Sequence, residues 1–226
     1  MLVTIAVARH LLPESFGKMS YLLALAALVT PIMAVGLNSI VTREVVNRPD
    51  DSGGIMASAF AIRCVVGLIV APIVIWCGYT SLELEDRGLF TFLILSNLFN
   101  IGLVVDFWLQ AHAANRIASM VRLTTLLAYS AARVVAIYVD AELSVFIILS
   151  GLEVVTIGVV YILVYQRLSG GPTLLQVSWQ ESQRLLKDSI WLIFSGMAAM
   201  VYLKIDQVML GILIDDQAVG VYAAAA

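Results

Sequence analysis

The sequence predicts an all-α protein: a polytopic transmembrane helix bundle with one six-helix lobe, a seventh span and the start of an eighth. Three observations predict it. Hydrophobic residues make up 61% of the 226 positions and charged residues 13%, with a mean hydropathy of +0.97. Soluble domains sit near about 45–50% and 25%. Apolar runs of about 23–26 residues alternate with short polar loops, each long enough to cross a hydrocarbon core about 30 Å thick. Those runs also lack the polar stripe of helical period that a buried helix of a soluble protein would show.

Taken in order, the chain opens inside an apolar segment of about eleven residues before Pro13, too short to cross. It reads as the tail of a first span whose beginning is missing. The second span covers residues 16–41 and contains Pro31 and Gly36, which interrupt a helix and suit either a hinge or a static kink. The third covers 55–79, the fourth 89–111, the fifth 117–139 and the sixth 143–165. The loop that follows holds the breaker Gly170-Gly171-Pro172 and an amphipathic stretch from Thr173 to Lys187. Thr173 can cap it, and Leu175, Trp179, Leu185 and Leu186 give it an apolar face, as in a helix lying on the membrane surface. The seventh span covers 190–214, and another opens at Ala218. The expected organisation is a transmembrane lobe over 1–165, a cytoplasmic interfacial linker helix over 166–189, and the start of a second lobe over 190–226.

Basic residues set the orientation. Arg43, Arg48, Arg116, Arg122, Arg167, Arg184 and Lys187 share one set of loops, which is expected to be cytoplasmic. The opposite loops are acidic: Glu83 to Asp86, Asp140 to Glu142, and Asp215-Asp216. Trp76, Tyr79, Tyr138, Trp108, Tyr161, Tyr165 and Trp191 fall at span ends and fit aromatic belts. Cys64 and Cys77 lie about 20 Å apart on one helix, too far to pair, and read as small packing residues. No metal spacing is present, no cofactor is expected, and a net charge of −3 argues against nucleic acid. An internal echo joins Leu11 to Met19 with Ile214 to Tyr222, at an offset of 203 residues, the register of a six-span repeat.

Six charged residues sit well inside the spans, away from their ends: Arg63, Asp106, Arg133, Glu153, Lys204 and Asp206. A charge near the middle of a membrane helix costs roughly 2.5–3.5 kcal/mol, so each needs a partner, a watery cavity or a substrate. From helix rise, Arg63 is about 13 Å and Asp106 about 9 Å from the inner ends of their helices. Glu153 falls near the midplane, and Arg133, Lys204 and Asp206 lie about 9–15 Å from the outer end. That pattern points to a transporter. Pairing between Arg63 and Asp106, and snorkelling of Arg133, are the plain alternatives. Asn38, Asn97, Asn100 and Gln110 offer amides to sugars or to neighbouring helices.

Several segments carry a family resemblance. They are Ala8-Arg-His-Leu-Leu-Pro-Glu-Ser-Phe-Gly17, Gly36-Leu-Asn-Ser-Ile-Val-Thr-Arg-Glu44, Asp106-Phe-Trp-Leu-Gln110, Tyr202-Leu-Lys-Ile-Asp-Gln-Val-Met-Leu-Gly211 and Ala218-Val-Gly-Val-Tyr222. In that order they resemble bacterial polysaccharide-biosynthesis flippases of the O-antigen type, relatives of multidrug and toxic-compound exporters and lipid II flippases. Trp191 stands where the family often has Pro, and Ala111-His112-Ala113 where it often has Gly and Glu. The resemblance implies a non-enzymatic, multi-pass carrier of the bacterial cytoplasmic membrane that moves an undecaprenyl-diphosphate-linked oligosaccharide by alternating access. It implies membrane lipids, a coupling H⁺ or Na⁺, and polysaccharide polymerase or ligase proteins as partners. Arg63, Arg133 and Lys204 are then expected to contact substrate, with Asp206, Glu153 and Asp106 in coupling or gating. A cation-coupled drug exporter and a non-transporting scaffold are the alternatives, while a glycosyltransferase lacks the polar loop that it would need.

Overall fold

The computed structural model describes residues 2–168 and 177–225. Among them the chain is helical, with no strand. Helix α1 (Leu2–Ala34) has two arms meeting at Leu12, whose φ of 63° and ψ of 164° are non-helical. Pro13 disfavours helical geometry at the residue before it. One crevice is lined by Val3, Thr4 and Val7 together with Met19 and Leu23, and by nothing between them. A straight helix would set Val3 and Leu23 about 30 Å apart, so the arms fold back on each other. The first arm is the short apolar segment that precedes Pro13 in the sequence.

A second break follows α1, where Val35 and Gly36 both have positive φ (55° and 58°). Gly36 packs so closely on Leu192 that a Cβ there would lie 2.8 Å from the leucine Cβ. The chain then runs through α2 (Asn38–Asn47), a 3₁₀ turn (Pro49–Asp51), α3 (Ser52–Ser81) and α4 (Leu84–Asn97). A 3₁₀ segment (Leu98–Leu103) separates α4 from α5 (Val104–Ala111), and α6 (Asn115–Tyr138), α7 (Leu143–Leu168), α8 (Trp179–Leu213) and α9 (Asp216–Ala225) follow. Six stretches are long and apolar enough to cross a membrane: Val3–Asn47, Pro49–Ser81, Leu84–Ala111, Asn115–Tyr138, Leu143–Leu168 and Trp179–Leu213. They correspond to the second to seventh spans read from the sequence, and the protein is a multi-pass helix bundle.

Three expectations change. Gly170 to Thr173 and Leu175 lie outside the described residues. The helix beyond them starts at an N-cap, in which the Ser178 hydroxyl accepts the Glu181 N–H. From Trp179 it runs unbroken to Leu213, because neither Pro nor Gly interrupts it before Gly196. The boundary expected at 189/190 is therefore not a break, and the helix, about 50 Å long, exceeds the hydrocarbon core. Tyr161 and Tyr165 are fully buried rather than in a belt, whereas Trp76, Tyr138 and Trp191 are exposed on the bundle surface. Cys64 and Cys77 are exposed as well, so neither is a packing residue.

Burial forms two dry clusters stacked along the bundle. One, toward the basic end, gathers Leu37, Ile40, Ile55, Ile62, Leu109, Tyr161 and Leu185. The other, toward the acidic end, gathers Phe16, Met33, Ala71, Phe90, Ile94 and Phe146. The handover falls between Met33 at the end of α1 and Val35 just beyond it, between Ile62 and Ala71 on α3, and between Ile147 and Tyr161 on α7. In that middle layer stand Arg63, Asn97, Asn100, Arg133, Ser150 and Glu153.

The two segments of the internal echo touch each other. A Cβ on Gly17 would collide with the backbone of Asp216 and Gly220, and one on Gly220 with the backbone of Pro13 and Gly17. Shifted by 203 residues, Pro13 and Gly17 become Asp216 and Gly220, so the contact is reciprocal, as a local two-fold relation produces. Beside it, Lys18 pairs with Asp86 at 3.0 Å. Burial pushes the Asp216 carboxyl above its usual range; Asp86, Glu83 and Glu14 add to the rise and Lys18 opposes it. A carboxyl raised on folding stabilises the folded form at low pH and loses that contribution as pH rises through its folded value. Hydrogen exchange of the α9 amides, corrected for intrinsic rates, should thus be slower at pH 4 than at pH 7. Asp216→Asn should flatten the difference, and equal protection at both pH values in the parent would refute the assignment.

Candidate functional site

The inner faces of α2 and α5, with α6 opposite, form a cleft of about 650 Å³ at the basic end. It is lined by Asn38, Ser39, Thr42 and Arg43 from α2, Asp106, Phe107 and Gln110 from α5, and Arg122 from α6. Only Phe107 among these is apolar, in a chain that is 61% hydrophobic. The two arginine side chains stay open, at 56% and 58% exposure, although both have carboxylate partners. Ser39 and Arg43 also line a second cleft on the other side of α2, with Lys187, Asp188 and Trp191 of α8.

Asp106 is the buried anchor of the cleft. Its carboxylate accepts hydrogen bonds from Arg122, from Gln110 at 2.9 Å and from the Tyr161 hydroxyl at 3.3 Å. Arg122 in turn donates to the Tyr161 oxygen at 3.2 Å. The Arg63–Asp106 pair entertained from the sequence does not form. Arg63 is 2% exposed and donates instead to Ala34 O (3.1 Å), Asn100 O (3.1 Å) and Asn38 Oδ1 (3.2 Å), over the Phe107 ring. Arg133 does not snorkel either, because Glu153 takes it at 2.7 Å and Ser150 at 3.3 Å across the α6–α7 contact.

A further ionic group closes the basic end. Buried Glu44 accepts from Arg43 and Arg48 and faces Arg184 at 3.5 Å. Arg48 also clasps Glu181 with two bonds of 2.7 and 2.8 Å, and Arg43 reaches Asp188 at 3.1 Å, tying α2 to α8. The Glu181 carboxylate, with Glu44 behind it, holds the Arg48 guanidinium above even its ordinary high value, against the burial that lowers it.

A family model described as polysaccharide biosynthesis protein matches residues 1–226. The chain belongs to this family. No curated protein and no solved structure matches it. In this polysaccharide biosynthesis protein the remaining expected residues separate. Lys204 donates to Gln207 within α8 at 3.3 Å, and Asp206 accepts the Tyr222 hydroxyl at 2.8 Å, joining α8 to α9. The two lie about 200° apart around the helix and serve different neighbours. Pro31 sits one turn before the break, and the break itself is at Val35-Gly36. Asn97 and Asn100 bond to each other at 2.7 Å and Asn38 to Arg63, so Gln110 and Asn38 are the predicted amides that reach the cleft. Among the described residues no group of three or more His, Cys, Asp or Glu is placed to hold a metal ion.

Arg43, Arg122 and Lys187 entered the sequence reading as orientation charges and Glu44 only as part of a family-like segment, yet Arg43 and Arg122 line the cleft, Lys187 lines its neighbour and Glu44 anchors the closure. One signal was available. Glu44 and Arg48 stand four apart, the spacing of a helical ion pair, which places them on a helix face rather than in a loop.

Proposed function

We propose that this family member translocates an undecaprenyl-diphosphate-linked oligosaccharide across the bacterial cytoplasmic membrane for surface polysaccharide synthesis, and that the basic-end cleft receives its head group. The observation that carries the proposal is a cleft lined by seven polar or charged residues and Phe107, two of them open arginines, in a chain that is 61% hydrophobic. Guanidinium forks suit diphosphate oxygens, and Asn38, Ser39, Thr42 and Gln110 present hydroxyls and amides to sugars. The isoprenoid tail remains in lipid while the head changes sides by alternating access. In this reading Asp206 gates through its bond to Tyr222, and Glu153 and Asp106 are the groups through which H⁺ or Na⁺ couples. Polymerase or ligase proteins take the delivered cargo.

Cation-coupled drug export is disfavoured by one observation: the cleft is lined by two open arginines, while its one acid, Asp106, is buried beside Arg122. The test is binding to the purified chain in lipid nanodiscs. The diphosphate-linked oligosaccharide should bind at least about tenfold tighter than undecaprenol, the worth of a charge-assisted hydrogen bond. Arg43→Ala should remove most of that preference. Equal affinity for the charged and uncharged lipids rejects the proposal, and no binding of either favours a scaffold.

A further inference from the structure

A buried guanidinium in the middle of a membrane bundle would normally be matched by a carboxylate. Arg63 has none within salt-bridge reach among the described residues, although Asp106 and Glu153 are available to other cations. What it has are two backbone carbonyls and one side-chain amide, and each comes from a helix break. Ala34 ends α1 immediately before left-handed Val35 and Gly36, and Asn38 opens α2 just after them. Asn100 stands in the 3₁₀ segment between α4 and α5, where the ordinary helical carbonyl pairing is interrupted. Such interruptions leave polar backbone groups that hydrocarbon cannot solvate.

We propose that Arg63 is a positioning residue, a staple that binds one backbone carbonyl at each break and the Asn38 amide, and so holds α2 and α5 as one unit; at the first break it shares Ala34 O with the Leu37 N–H, which lies at 3.4 Å. Those two helices carry every lining residue of the cleft except Arg122. Phe107, which forms part of the cleft wall, lies under the guanidinium at 5.5 Å. Thr42 donates to Phe107 O at 3.4 Å on the cleft side, so α2 and α5 are joined both beneath and beside the cavity. Arg63 thereby shapes the site without touching what enters it. This departs from the substrate contact expected of Arg63 from the sequence. The importance of the staple for transport rests on the cleft being the working site.

The two roles separate on Arg63→Lys. A cation that served only to contact substrate could become lysine without altering the geometry of the empty cleft. A staple could not, because an ammonium on a shorter, single-point head cannot serve three acceptors spread around a planar guanidinium. The experiment uses the full chain in nanodiscs with Cys64→Ser and Cys77→Ser, both exposed positions. Single cysteines are placed at Ser39 on α2, Gln110 on α5 and, as reference, exposed Arg116 on α6, and their reaction with a water-soluble thiol reagent is timed. With Arg63→Lys and with Arg63→Gln, the rates at 39 and 110 should change together, by about tenfold or more, the effect of losing a charge-assisted hydrogen bond on a local opening. The rate at 116 should stay within about twofold, since no staple reaches α6. Parent rates in Arg63→Lys overturn the proposal, as does a change at only one of 39 and 110. An equal rise at 116 also overturns it, because that reports general loosening. Should the labelling follow expectation while the diphosphate lipid fails to bind, the staple stands and the proposed function falls.

Discussion

Arg122→Ala is expected to destabilise the bundle by about 3 kcal/mol, the lower end for breaking a buried pair, because Arg122 itself is more than half exposed. The cost arises at Asp106, which is 3% exposed and retains only the Gln110 and Tyr161 donors. Asp106→Asn should cost less, about 1 kcal/mol, since it removes the charge that needs a partner. The double variant should then be more stable than Arg122→Ala alone, a non-additivity that a double-mutant cycle reads directly. Unfolding of the four proteins in mixed micelles would measure it. Simple additivity would show that the two groups do not depend on each other in the folded chain.

Gly17→Val should separate α9 from α1. The new side chain falls on the backbone of Asp216 and Gly220, and backbone cannot swing away as a flexible side chain can. Overpacking of this kind costs about 1–3 kcal/mol, occasionally more, and here the whole penalty lies on one crossing. Hydrogen exchange over α9 should rise strongly while α6 and α7 keep their protection. Gly220→Val should give the same pattern, because the contact is reciprocal. Gly88→Ala is the control: its Cβ meets nothing within 4 Å, and replacing glycine inside α4 should stabilise by about 0.5–1 kcal/mol. Unchanged α9 exchange in both valine variants would mean that the crossing is not close in solution.

Particular residues show what was legible. The six intramembrane charges stood out because an apolar run makes an ionic residue conspicuous. Their partners did not. Arg133 and Glu153 are 20 residues apart, Arg122 and Asp106 16 residues apart, and each pair meets across neighbouring helices. Tyr161 looked like a belt residue because it sits near a span end, but helix rotation turns its hydroxyl inward to Asp106. Arg122 was counted toward orientation, and it serves that count whether or not it also lines a cleft. The break at Gly36 was visible as a glycine after Pro31, while the 3₁₀ segment over Leu98–Leu103 has no proline and only Gly102 to announce it.

The sequence by itself determined that the chain crosses a membrane repeatedly, where the crossings fall and which end is basic. Those properties follow from the transfer free energy of each residue along its own helix and need no neighbour. The tertiary structure alone decided which charge meets which, that Arg63 binds carbonyls instead of a carboxylate, and that loop cations close around a polar cleft. Those outcomes depend on how each helix is rotated and broken. Packing among helices far apart in the chain sets that geometry, and it leaves no local pattern to read.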